Sequence, residues 1–137
     1  MMTAPRTKGG AITKAAAEVG ATVGAKFLVT FTQSGDSARR ISRLRSPIPI
    51  LAITPEEGTY NRLALSWGVE SLVTPMVKHT DEMVLQADKM LLEGKRAAEG
   101  ELVMIVAGSP PGIPGSTNAM RVHKVGDAVN GVAAAYR

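Results

Sequence analysis

The chain has no cysteine, only two histidines (His79 and His123), one tryptophan and four other aromatic residues. Without cysteine there are no disulfides, no thiol nucleophile and no thiolate zinc site. Two histidines leave few metal ligands and few general bases near neutral pH. Scarce aromatics disfavour base stacking on single-stranded nucleic acid. No apolar run approaches the roughly 20 residues a membrane-spanning helix needs, and the basic first residues are not followed by the apolar stretch of a secretory signal. The expectation is a cytoplasmic protein without a membrane partner. With 137 residues and a formal charge of +4, the chain is long enough for one cored domain. Its mild basicity suits anionic small molecules and does not demand nucleic acid.

What is present is an alternation of helical and strand patterns. Residues 1–10 read as a flexible leading segment. Ile12, Ala15, Ala16 and Val19 recur at helical spacing, predicting a helix over 11–23 that Gly20 or Gly24 ends. A strand follows over 26–31, then a helix over 36–45 stopped at Ser46-Pro47. An apolar strand over 48–53 leads into Thr54-Pro55-Glu56-Glu57. That run carries helix-start chemistry, with Thr54 as cap and Pro55 in the first turn, and the helix is expected to reach Trp67. A short strand over 69–73, a long helix over 80–98 and the apolar run Leu102–Val106 come next. An edge strand over 119–125 closes the pattern, and 126–137 reads as a frayed helix or tail. Strands alternating with helices imply a mostly parallel sheet covered on both faces. The last strand follows a loop without a helix, so it is expected to run antiparallel.

Two segments have ligand-binding character. Thr32-Gln33-Ser34-Gly35-Asp36-Ser37 joins a strand to a helix start, where unpaired N–H groups and the helix dipole favour anions. Thr32, Ser34 and Ser37 add hydroxyl donors, and Gly35 allows close backbone approach. Asp36 opposes an anion and suits the dipole instead. The alternative reading is a plain turn whose hydroxyls cap the helix. Gly108–Thr117 includes Gly112, Gly115, Ser116 and Thr117. It lacks the lysine of a P-loop and is followed by a strand pattern, which excludes that NTPase motif. Its bland alternative is a proline-stiffened connection. If the first and fourth strands are neighbours at a switch point, the two segments form one pocket. Arg39, Arg40, Arg43 and Arg45 form a basic helix face, Tyr60 and Trp67 read as core or interface residues, and no nucleophile–base–orienter set is present.

Several separated motifs resemble the C-terminal domain of pyruvate kinase, in its bacterial form. They are Ala11–Glu18, Thr32–Arg39, Ser46–Thr54, Trp67-Gly68-Val69, Gly100–Gly108 and Gly115–Asn118, within a match over 11–125. The resemblance implies a three-layer α/β/α sandwich with a five-stranded, mostly parallel sheet whose last strand is antiparallel. It implies an allosteric, oligomerising module of a glycolytic phosphotransferase, without catalytic residues of its own. The transfer from phosphoenolpyruvate to ADP, with Mg and K ions, belongs to a barrel that these residues do not form. By the same resemblance, Thr32, Gln33, Ser34, Gly35, Asp36 and Ser37, with Gly112, Gly115, Ser116 and Thr117, hold a sugar phosphate or similar effector. Lys95 or Arg96 is a further candidate for a remaining phosphate. Two other classes compete: an interaction domain with no ligand, and a small phosphometabolite enzyme using His79 or His123.

Overall fold

A computed structural model of the chain describes residues 8–32, 36–44, 46–64, 66, 68–75, 80–108 and 117–129. Four helices, α1 (Lys8–Val23), α2 (Asp36–Arg43), α3 (Glu57–Leu63) and α4 (Thr80–Glu93), alternate with the first strands. The strands are β1 (Leu28–Phe31), β2 (Ile50–Thr54), β3 (Val69–Val73), β4 (Leu102–Gly108) and β5 (Thr117–Lys124), in one sheet of order β3-β2-β1-β4-β5. All neighbours are parallel except β4 and β5. The expected architecture, a mostly parallel five-stranded sheet with an antiparallel last strand, is the one observed.

Alternation along the strands divides the core in two. Val29, Leu51, Ile53, Val103 and Ile105 face α4, where Val84, Ala87 and Leu91 meet them. Leu28, Ile50, Met104 and Val106 point the other way, against Ala16 of α1 and Ile41 of α2. Ala38, Ala52 and Leu63 join α2 and α3 to that second face. Helices therefore cover both faces, and every residue of β2 is buried. Each fully buried Leu, Ile, Val or Met side chain contributes about 1.5–3 kcal/mol of transfer free energy.

Element ends differ from the sequence reading where long-range bonds decide them. Thr54 does not cap a helix: its carbonyl accepts the Thr74 N–H at 3.0 Å, which makes it the last residue of β2. Its hydroxyl accepts the Glu56 N–H at 3.1 Å, a local turn, and α3 begins only at Glu57. That helix stops at Leu63, short of Trp67. Tyr60 lies on its outer side and is 41% exposed, so it is not a core residue. Gly24, at φ 73°, follows α1, whereas Gly20 lies inside it, packed close to Leu28 and Ile48.

The fourth helix ends at Glu93 rather than at Ala98. Arg96 N–H reaches back to the Leu91 carbonyl at 2.9 Å and Lys95 N–H to Leu92 at 3.1 Å, with Lys95 in the left-handed region at φ 54°. This is a Schellman-type stop in which lysine takes the place usually given to glycine. The apolar pattern continues through Ala97 and Ala98, but the chain has already turned.

Candidate functional site

The strand order creates a switch point. From β1 the chain steps to β2 and then β3 on one side, and α4 carries it back to place β4 on the other. Thr30 lies opposite Val106 in the parallel β1–β4 ladder, so the carboxyl ends of the two strands sit side by side. In open parallel sheets this is where connections diverge and leave a crevice for ligand. The two segments with ligand-binding character leave from these two strand ends.

Thr32 continues past β1, half-buried, with its N–H donating to the Ile53 carbonyl at 3.0 Å. Asp36 and Ser37 are the first two residues of α2, which starts four positions after Thr32. Thr117 opens β5 opposite Gly108, where the register shifts. Thr32, Asp36, Ser37 and Thr117 are thus brought to one edge of the sheet. Gln33, Ser34, Gly35, Gly112, Gly115 and Ser116 lie outside the described residues, as do His79 and Trp67.

On α2, Ala38 and Ile41 are buried, Arg39 is half-buried and Arg43 is exposed, so the helix is amphipathic with its basic side outward. Among the described residues no helix is long and apolar enough to cross a membrane. No group of three or more His, Asp or Glu among them could hold a metal ion.

Lys95 and Arg96 are at the opposite edge. They follow α4, which runs back from the carboxyl end of β3 to the start of β4. The Arg96 guanidinium is already engaged: Nε donates to Glu70 Oε1 at 2.8 Å and Nη2 to Oε2 at 2.7 Å. These bonds hold the Glu70 carboxyl below its ordinary range, burial opposing them, and hold Arg96 above its own. A shallow cleft of about 390 Å³ is lined there by Leu92, Lys95, Arg96, Ala97, Ala98 and Glu101. Glu101 fills the anion's role in it, accepting the Ala98 N–H at 2.7 Å and pairing with Lys26 at 3.4 Å. The Ala98 bond, more than Lys26, keeps the Glu101 carboxyl below its ordinary range. Arg96 is thus committed to Glu70 at the edge opposite Thr32, while Lys95 beside it is exposed.

His123 also lies away from the switch point, opposite Val103 near the amino end of β4. It is fully buried, with Nε2 2.6 Å from Asp88 Oδ1. A ring sealed in this way does not reach substrate, which removes His123 as an acid or base. Asp88 escaped the sequence reading. Its signal was its position: with Val84, Ala87 and Leu91 it completes the buried spacing of α4, and a carboxylate on a core stripe requires partners.

Fold and edge together define a class, the doubly covered α/β domain with a β1/β4 switch point. The family model for the pyruvate kinase alpha/beta domain matches residues 10–123, and the chain belongs to that family. It is 50% identical over 123 residues to pyruvate kinase from Mycobacterium tuberculosis, covering 90% of this chain and 26% of the relative. The pyruvate kinase of Corynebacterium glutamicum is 43% identical over the same shares. A solved structure of Cryptosporidium parvum pyruvate kinase in complex with ADP superposes with a TM-score of 0.81 at 27% identity, over 90% of this chain and 25% of that one. The chain thus spans about a quarter of the length of these relatives.

Proposed function

We propose that this domain is the effector-binding and oligomerisation module of a pyruvate kinase-type phosphotransferase, and that it has no phosphotransfer activity alone. The effector is a sugar phosphate or another phosphorylated metabolite. Its phosphate is held by the Thr32–Ser37 turn, and Gly112, Gly115, Ser116 and Thr117 of the second segment complete the site. The observation that carries this reading is the adjacency of the β1 and β4 carboxyl ends at the switch point. The start of α2 at Asp36 adds support, because helix N–H groups are directed toward the same edge. The charge of +4 favours an anion. Asp36 limits the affinity and favours ligands with hydroxyls that can accept or donate beside it.

Calorimetric titration with fructose 1,6-bisphosphate, glucose 6-phosphate, ribose 5-phosphate and AMP tests the proposal. At least one binds, and Thr32→Ala weakens it about 10- to 100-fold, the effect of losing a hydrogen bond to a charged group. The chain yields no pyruvate from phosphoenolpyruvate and ADP. Absence of binding by all four compounds overturns the effector reading in favour of an interaction domain without ligand.

A further inference from the structure

In the last described turn, the N–H groups of Gly126, Ala128 and Val129 converge on a single carboxylate. Asp88 of α4 is fully buried, and both of its oxygens face this turn. Gly126 N–H donates to Oδ1 and Oδ2, each at 3.1 Å. Ala128 N–H and Val129 N–H donate to Oδ2 at 2.9 and 3.2 Å. His123 Nε2 completes the set at 2.6 Å from Oδ1; because a carboxylate only accepts, the ring nitrogen is the donor. Before Gly126 the chain is tied differently. Val125 is buried in the α4-side core, and its N–H and carbonyl pair with the Glu101 carbonyl and the Gly100 N–H at 2.8 and 2.9 Å. After it, three of four successive N–H groups depend on one side chain, and the fourth, Asp127 N–H, donates to the Lys124 carbonyl at 3.2 Å.

We propose that Asp88 is a positioning residue that latches the C-terminal turn onto α4. Residues 126–129 open and close as one unit about Val125, without unfolding of the sheet. Shared dependence on one acceptor makes the opening cooperative, since losing it strands several donors together. Val129 is 45% exposed, so the apolar burial that resists the motion comes from the small side chain of Ala128, half-buried against the α4-side core. His123 orients the acceptor from β5.

Amide hydrogen exchange by NMR on the full 137-residue chain is the test. In the wild type, Gly126, Ala128 and Val129 exchange at a common rate, faster than the amides of Val103 and Ile105. In Asp88→Asn those three speed up at least about tenfold, as expected when a charged acceptor is lost, while the strand amides change alike and much less. His123→Ala leaves the carboxylate in place and produces a smaller, equally selective acceleration. It supplies the reading if Asp88→Asn does not fold. Equal protection of the turn and the strands in the wild type overturns the latch. So does uniform acceleration of all amides in either variant, or no change at the three turn amides.

Discussion

Glu70, at the start of the edge strand β3, and Arg96, in the turn after α4, are joined by two parallel hydrogen bonds of 2.8 and 2.7 Å across the amino edge of the sheet. The pair ties the end of a face-covering helix to an edge strand that has a neighbour on one side only. Gly94 makes room for it, because a Cβ there runs into the Arg96 guanidinium and lies 2.9 Å from the Met90 carbonyl.

Glu70→Gln is expected to lower stability near neutral pH by about 0.5–1 kcal/mol, a modest value because the glutamate is half exposed. The folded-state value of Glu70 is depressed, so the native state binds fewer protons than the unfolded chain. The stability from this pair is full above the ordinary carboxylate value of 4.5 and is lost as pH falls through the lower folded-state value. Urea melts from pH 7 down to pH 3 therefore show wild type and Glu70→Gln converging in acid. A constant gap across that range rejects the assignment.

Lys95 occupies a left-handed backbone position with its side chain exposed. Lys95→Gly relieves that conformation and is expected to stabilise the domain by up to about 1 kcal/mol, seen as a higher urea midpoint with unchanged slope.

The opposite result is expected at Gly126. Its φ is 99°, and an added Cβ meets Glu99 Cγ at 2.6 Å. Gly126→Ala strains the backbone and crowds the side chain, costing about 1–3 kcal/mol in thermal or urea melts. Exchange at the neighbouring turn amides rises with it.

Core and edge contribute unequally. Leu51 is fully buried between β1 and β3 on the α4 face, and Leu51→Ala is expected to cost about 2–5 kcal/mol. Val73, 46% exposed on the edge strand, is expected to tolerate alanine within about 0.5 kcal/mol. Paired urea melts of the two variants check the contrast.

Much of this fold is legible in the residues because local pattern and tertiary structure agree. The run from Leu102 to Val106 is apolar on both sides because it becomes an interior strand between β1 and β5. A strand after a loop without a helix turns back, and β5 does. What local chemistry could not supply was partnership at a distance. Thr54 and Pro55 read as a helix start because no local signal announces the Thr74 N–H that holds Thr54 in the sheet. Arg96 reads as a candidate for a phosphate because its partner, Glu70, is 26 positions away. The turn at Thr32 and the loop after Gly108 were identifiable by composition. The adjacency of the β1 and β4 ends from which they leave followed from strand order, which is a property of the whole chain.

The proposed function places ligand at the carboxyl edge, between β1 and β4. Backbone amide shift mapping during titration with the tightest-binding of the four phosphorylated compounds tests it most directly. Perturbations are expected to concentrate at residues 32–37 and 108–117, and Thr32→Ala to suppress both sets together. Perturbations centred on Lys26, Lys95 and Glu101 at the opposite edge, with residues 32–37 silent, would contradict it.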